Sequence, residues 1–322
     1  MPPKAILAAP GNDHTPAPSD AQPLTAFRAE DHVSAPAPSR NGLVHALAAT
    51  LRRHPPALIG TAILASVVLL ALLSPLLFPG DPLAITGEPF LWPFASIAHP
   101  LGTDSLGRDI LAGIAHGARV SLRIGLSATA LGLVLGVAAG ALAGYKGGWT
   151  DAVISRLIEI FQTVPSFVLL VVLVAITEPN AGTLSAAIAI VTWPTVARLA
   201  RAEFRSLREK DFVLAARSLG YSHTRIICHE ILPNALPPIV VTASVMVASA
   251  ILMESALSFM GLGDPNVVSW GSMIGQGREY LRSAWYISAL PGLAIMLTVL
   301  ALNLIGDALN EALNPRKKGG RA

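Results

Sequence analysis

The sequence has very little charge. Asp, Glu, Lys and Arg together make up 13% of its 322 residues, whereas hydrophobic residues make up 52%. Because soluble globular domains carry about 25% charged residues, this chain has too few to cover a surface that faces water. The net charge of +3 is also too small to indicate a protein that binds nucleic acid. The composition therefore excludes a typical soluble enzyme and predicts an integral membrane protein.

Cysteine and clustered metal ligands are also scarce. The single cysteine, Cys228, excludes an internal disulfide and a zinc site built from several cysteines. None of the eight histidines is spaced from another like a metal ligand within an apolar run. The glycine-rich phosphate loop, which ends in Gly-Lys-Ser/Thr, does not occur either. We therefore predict no catalytic residue, no metal site and no cofactor bound by this chain.

Long uncharged runs are what the sequence has in abundance. A helix needs about 20 residues to cross the hydrocarbon core of a bilayer, and six runs approach or exceed this length. They cover 57–78, 124–145, 160–177, 181–197, 231–253 and 283–306. Pro165 falls inside the third run and Pro194 inside the fourth. The runs predict an all-α integral membrane protein with six transmembrane helices.

The distribution of basic residues predicts the orientation of these helices. Lys and Arg accumulate in the cytoplasmic segments of membrane proteins. If the N-terminus is inside, 18 of the 23 basic residues fall in inner segments and five in outer ones. We therefore expect both termini to be cytoplasmic and the longest outer loop to lie between residues 79 and 119.

The chain divides into four parts on this topology. Residues 1–50 are rich in Pro and Ala without an apolar period, which predicts a disordered cytoplasmic tail. Residues 51–116 contain the first transmembrane helix and the long outer loop, and 117–310 form the membrane core with a cytoplasmic loop at 198–233. Residues 311–322 form a basic cytoplasmic tail.

A glycine strip marks the second run. Its four glycines follow one another at intervals of four and therefore share one helix face: Gly132, Gly136, Gly140 and Gly144. In lipid, close approach of two backbones supplies much of the attraction between helices. We predict that this strip packs against another helix, and generic bundle packing is sufficient to explain it.

The cytoplasmic loop 198–233 contains a short amphipathic helix. Asp211 is a suitable N-cap, and Gly220 suits the left-handed residue that ends a helix. A helix of about two turns is not stable alone, so its apolar face must pack on its own bundle, on the bilayer or on another protein. The spacing i, i+3, i+4, i+7 places on this face Phe212, Ala215, Ala216 and Leu219.

The outer segments contain a second amphipathic pattern and several aromatic residues. Thr103 or Asp104 is placed to cap a helix that lies in the membrane interface ahead of the second span. The apolar face of this helix consists of Ile110, Leu111, Ile114 and Ala118. We expect an outer aromatic belt to include Trp270, Trp285 and Tyr286.

Glu254 is the only ionisable residue well inside an apolar run. Burying a carboxylate in the membrane costs about 2.5 kcal/mol or more, so this side chain must face the bundle or an aqueous cavity. Two hypotheses follow with equal weight. Glu254 either lines a translocation pathway, where it meets the amino group of a solute, or it makes structural hydrogen bonds.

Two sets of motifs resemble one transporter family. In the cytoplasmic loop, AA at 215–216, Gly220 and ILP at 231–233 resemble the "EAA" loop of ATP-binding-cassette importer permeases, with Leu214 where that family usually has Glu. In the outer loop, HPLGTD at 99–104, LGRD at 106–109 and GARVSL at 117–122 are similar to the C-type permease subunits of dipeptide and oligopeptide importers. The resemblance extends from about residue 99 to residue 316.

The resemblance implies the type I fold of importer permeases and a function in the bacterial inner membrane. It implies transport of dipeptides or oligopeptides, powered by ATP that partner subunits hydrolyse. It also implies four partners besides the bilayer: a second homologous permease subunit, two cytoplasmic ATP-binding subunits and an extracytoplasmic solute-binding protein. The face of the short helix, together with Gly220, is then the part that couples to the ATP-binding subunits.

The residues themselves leave two other functions open. A proton- or sodium-driven carrier acting alone usually has internal repeats with broken helices in matching positions. Pro165 and Pro194 give such breaks, but the sequence contains no recognisable repeat. A membrane-embedded enzyme needs a set of reactive side chains at one depth, and the histidines do not provide one.

Overall fold

The computed structural model describes residues 55–313, and within this range the regular elements are helices. The predicted tail 1–50 and most of the predicted tail 311–322 lie outside the described residues. We number the α-helices in chain order: α1 (Pro55–Leu77), α2 (Ile110–Lys146), α3 (Gly148–Thr163), α4 (Ser166–Ala175), α5 (Ala181–Leu207), α6 (Asp211–Ser218), α7 (His223–Arg225), α8 (Leu232–Phe259), α9 (Trp270–Gly277) and α10 (Tyr286–Leu313).

Five helical segments of the described range are long and apolar enough to cross a membrane. Four of them are α1, α2, α5 and α10, and the fifth is His223–Phe259, in which a π-helix at Ile226–Ile231 joins α7 to α8. Each contains or overlaps one of the predicted runs. The structure therefore confirms the all-helical membrane fold and extends several spans beyond their uncharged cores.

The third predicted span is broken. The run 160–177 was expected to form one helix, but α3 ends at Thr163 and α4 begins at Ser166, with an angle of 83° between them. Pro165 causes the break, because proline forces the residue before it into an extended conformation. Val164 has φ −91° and ψ 133° accordingly. The count of six spans holds if α3 and α4 together form one bent span.

The expected interfacial helix of the outer loop is instead the first part of α2. Asp109 caps it, since its carboxylate accepts hydrogen bonds from the backbone N–H groups of Leu111 and Ala112. The prediction that Thr103 or Asp104 caps this helix was therefore wrong. Asp104 accepts bonds within the outer loop from the backbone of Leu106 and Arg108.

The expected aromatic belt is also largely wrong. Trp270 and Tyr286 are buried in the bundle, and only Trp285 is exposed. Each buried ring has a polar group that finds a partner inside the protein. The indole N–H of Trp270 donates to the carbonyl of Ile114 at 3.0 Å, and the hydroxyl of Tyr286 donates to the carbonyl of Thr103 at 3.3 Å.

The core of the bundle is the pair formed by α2 and α5. α8 packs against both of them, and α10 packs beside α1, α8 and α9. Large apolar side chains remain exposed along the outer faces of the spans, among them Leu72, Leu76 and Val134. Continuous exposure of this kind fits a surface covered by lipid or by another membrane subunit.

Candidate functional site

The short helix α6 is anchored in the bundle by one side only. Val213 and Ala216 are buried, in an apolar cluster that includes Phe204 and Ile226. Its N-cap is Lys210, which makes no side-chain cap bond, and Asp211 is the first helical residue. The prediction that Asp211 caps the helix was therefore wrong. The predicted apolar face is divided, because Ala216 is buried whereas Phe212, one turn before it, is exposed.

The other side of α6 is an exposed apolar face. Phe212 is 39% exposed, Leu219 is 73% exposed, and Ala215 lies exposed between them. The bundle is thus the surface on which Val213 and Ala216 pack. Phe212, Ala215 and Leu219 stay exposed. We call Phe212, Ala215 and Leu219 the α6 outer face.

Gly220 ends α6 in the manner that its sequence position suggests. Its φ of +77° is in the left-handed region, which glycine enters without steric cost. Its N–H donates to the carbonyl of Arg217, and the N–H of Tyr221 donates to that of Ala216. These two bonds form a Schellman motif, and Ser222 then caps the next turn by accepting from the N–H of Arg225.

Two contacts that the sequence did not indicate join the segment around α6 to the C-terminal end of α2. The hydroxyl of Tyr145 lies 2.8 Å from Nδ1 of His223. The guanidinium of Arg208 donates to the carbonyls of Gly144 and Tyr145, at 3.2 and 3.3 Å. A cation at the C-terminus of a helix is favourable, but no spacing in the sequence indicates which helix Arg208 reaches.

The four glycines of the strip in α2 face α5. A Cβ at Gly132 would lie 3.1 Å from Oγ1 of Thr192, and one at Gly144 would lie 2.5 Å from the carbonyl oxygen of Arg201. Gly136 and Gly140 meet the α5 backbone in between, at Trp193 and Ala197 respectively. The strip thus brings two helix backbones together over about three turns.

A charged pair that the sequence did not indicate holds α3 to α5. The guanidinium of Arg201 donates to both carboxylate oxygens of Asp151, from Nε to Oδ1 and from Nη2 to Oδ2 at 2.8 Å. Both side chains are partly buried. Because the two residues are 50 positions apart in different helices, their pairing depends on the fold.

Glu254 is buried, with 1% of its surface exposed. Its carboxylate accepts hydrogen bonds from the hydroxyls of Ser121, Ser255 and Ser258, at 3.1, 3.4 and 2.7 Å respectively. Ser121 belongs to α2 and the others to α8, so the carboxylate joins two helices. Of the two hypotheses for Glu254, these contacts favour structural hydrogen bonding.

The chain is similar to known membrane transport proteins. Residues 136–319 match the family described as binding-protein-dependent transport system inner membrane component. The dipeptide transport system permease protein DppC of Alkalihalophilus pseudofirmus is 39% identical over 290 residues, which cover 90% of this chain and 93% of that protein. The di/tripeptide permease protein DppC of Pseudomonas aeruginosa is 42% identical over 68% of this chain and 72% of that protein.

The fold also resembles a solved structure. The inward-facing MetNI methionine ABC transporter contains a chain that aligns with a TM-score of 0.52 and 18% identity. The alignment covers 63% of this chain and 96% of that chain. These matches confirm the resemblance drawn from the loop motifs and support an importer permease over a carrier acting alone. The chain belongs to the family of inner membrane components of binding-protein-dependent transport systems, the permease subunits of ATP-binding-cassette importers.

Proposed function

We propose that this chain is the translocation subunit of a peptide importer and that α6 is the element through which ATP hydrolysis reaches it. The peptide substrate is supported by the relatives, which are named as dipeptide and di/tripeptide permeases. The C-type motifs of the outer loop point to the same substrate class. The proposed solutes are dipeptides or oligopeptides.

The α6 outer face carries the proposal for ATP coupling. A helix of eight residues is too short to be stable alone, yet Val213 and Ala216 fix it to the bundle. Phe212 and Leu219 lie on the neighbouring side of the helix, where they are exposed to different extents. An anchored helix that exposes large apolar side chains is suited to bind a protein surface. In this family, the partner at that position is an ATP-binding subunit.

The proposed assembly contains this chain, a second homologous permease subunit, two cytoplasmic ATP-binding subunits and an extracytoplasmic solute-binding protein. ATP is bound by the ATP-binding subunits, and this chain is not an enzyme. We place the chain in the bacterial inner membrane with both termini in the cytoplasm. The excess of basic residues in the inner segments and the bacterial origin of the relatives support this placement.

Copurification tests the coupling surface directly. The full chain, tagged, is coexpressed with its partner permease and ATP-binding subunits and purified in detergent. Leu219→Asp places a charge on the α6 outer face, which is costly when the charge is desolvated in an apolar contact. We expect it to lower the amount of ATP-binding subunit recovered by about tenfold or more.

Ser218→Asp is the matched control, because Ser218 is exposed on the same helix but to one side of the α6 outer face. It is expected to leave the recovery of ATP-binding subunits close to that of the wild type. The partner permease should copurify equally with both variants. Normal recovery of ATP-binding subunits with Leu219→Asp would refute the assignment of α6.

A further inference from the structure

A cavity of about 990 Å³ opens beside α6 at the inner end of α2. Its walls come from the last turn of α2, the residues after α5, α6 itself and the segment that starts α7. It lies on the side of α6 that carries Leu214 and Arg217 and is therefore separate from the α6 outer face. The function proposed above does not use it.

The lining of the cavity is strongly basic. Its cationic side chains are Lys146, Arg208 and Arg217, and its one acidic residue is Glu209. The Glu209 carboxylate lies 3.4 Å from Arg208. Within residues 55–313, neither Lys146 nor Arg217 has an acidic group within 4.0 Å. The cavity therefore has a surplus of positive charge that no described carboxylate neutralises.

A contact with the Tyr145 ring holds the Arg217 guanidinium beside the cavity. Its guanidinium lies 5.5 Å from the centre of the Tyr145 ring, within the range of a cation–π interaction. The Tyr145 hydroxyl is in turn fixed at 2.8 Å from His223. Arg217 on α6 and Lys146 on α2 thus lie on walls that belong to different elements.

The cavity also has an apolar wall. Leu142 is 44% exposed and Leu214 is 47% exposed. Leu142 precedes Lys146 by four residues and therefore lies on the same face of α2, one turn further into the membrane span. Leu142 towards the membrane and Lys146 at the end of the helix follow the order of acyl chain and phosphate in a phospholipid.

We propose that this cavity binds the headgroup of an anionic phospholipid from the inner leaflet. Lys146 and Arg217 contact the phosphate, and the glycerol and upper acyl chain lie along Leu142 and Leu214. Basic pockets between transmembrane helices on the cytoplasmic side are suited to such headgroups. A bound lipid would join α6 to the inner end of α2 through one phosphate. The lipid composition would then influence how firmly α6 is held.

Lipid binding to the purified full chain tests this proposal. Native mass spectrometry measures the binding of cardiolipin, phosphatidylglycerol and phosphatidylcholine in detergent. We expect both anionic lipids to bind more tightly than phosphatidylcholine. Lys146→Gln and Arg217→Gln should each weaken anionic binding about fivefold. Leu214→Glu, which adds a carboxylate to the cavity, should weaken it as well.

Arg156→Gln is the matched control, because Arg156 is an exposed cation on α3 that already pairs with Glu159. It should leave lipid binding unchanged. Equal effects of Arg156→Gln and Arg217→Gln would overturn the site, because they would show attraction by overall charge. The thermal unfolding temperatures of the variants are measured in parallel, and we expect them to match that of the wild type.

Two further measurements separate the lipid from other occupants. Inorganic pyrophosphate is added as a soluble competitor, and we expect it not to displace the lipid, because it cannot contact the apolar wall. Displacement at equal concentration would identify a soluble anion as the ligand. Retention of the lipid in the complete transporter supports the proposal, whereas its loss on addition of ATP-binding subunits would assign the cavity to the protein interface.

Discussion

At the scale of single residues, the glycines of α2 set the distance between the two central helices. A Cβ added at Gly136 would lie 2.5 Å from Cβ of Val196 and 2.8 Å from the carbonyl oxygen of Trp193. Neither atom is the flexible end of a side chain, so the helices must move apart to accept it. The glycine spacing in the sequence indicated a packing face but did not indicate that α5 is the partner.

Gly136→Val is therefore expected to destabilise the bundle by about 1–3 kcal/mol, as overpacking does in well-packed cores. Ala138→Val adds similar bulk to an exposed position of the same helix and serves as the control. Thermal unfolding in detergent measures both. If Gly136→Val unfolds at the same temperature as Ala138→Val, the close approach of α2 and α5 is not as described.

The second prediction at this scale concerns Glu254. Glu254→Ala removes the acceptor of three buried or partly buried serine hydroxyls, and an unsatisfied buried group costs about 1–3 kcal/mol. Glu254→Gln keeps one acceptor oxygen, so its unfolding temperature should lie between those of Glu254→Ala and the wild type. Peptide uptake per folded Glu254→Gln protein should be unchanged. A Glu254→Gln variant with normal stability and expression but no uptake would restore the pathway hypothesis.

At the scale of secondary-structure elements, the coupling role proposed for α6 depends on the end of the helix at Gly220. Gly220 has no heavy atom within 4 Å of an added Cβ, so the effect of substitution there is conformational. Gly220→Pro removes the N–H that donates to Arg217 and cannot adopt a φ of +77°. We expect ATP hydrolysis to continue in the complete transporter while peptide uptake falls.

The control for this prediction is Gly148→Ala, because Gly148 also has positive φ and open space around its Cβ position but lies outside the loop 198–233. It should keep hydrolysis and uptake coupled. Coupled transport by Gly220→Pro would mean that the end of α6 plays no part in transmitting motion.

Some features of these helices could be predicted from the sequence, and others could not. Hydropathy located the spans, and the position of Gly220 located the end of α6, because both depend on local chemistry. The division of α6 into a buried side and an outer face could not be predicted, since Val213 and Phe212 are adjacent apolar residues with different surroundings. The 83° bend at Pro165 was also missed, because proline inside an apolar run is compatible with either a kink or a break.

At the scale of the whole molecule, the proposed orientation makes Cys228 a natural probe. It is the only cysteine of the chain, and it is exposed in the π-helix that precedes α8, which the proposed orientation puts on the cytoplasmic side. A maleimide that cannot cross membranes should label it in inside-out vesicles and not in intact spheroplasts. Ile97→Cys combined with Cys228→Ser gives the opposite control, because Ile97 is fully exposed in the outer loop. Labelling of Cys228 from outside would reverse the topology.

Contacts between distant parts of the chain could not be predicted from the sequence. The Arg201–Asp151 pair and the hydrogen bond between Tyr145 and His223 join residues 50 and 78 positions apart. Their side chains carry no local signal of the partner, because the first pair exists only after α3 and α5 have packed and the second only after α2 and α7 have met. The family motifs predicted the architecture in which these contacts form, but not the contacts.

The proposed function requires that ATP hydrolysis by partner subunits drives peptide uptake through this chain. Its most direct test is dipeptide uptake by proteoliposomes that contain the complete transporter and its solute-binding protein, with and without ATP. We predict uptake that requires ATP, persists in the presence of a protonophore and is lost in the Leu219→Asp variant. The contradicting result is uptake by this chain alone. Such uptake would be driven by a pH gradient, abolished by a protonophore and unaffected by ATP.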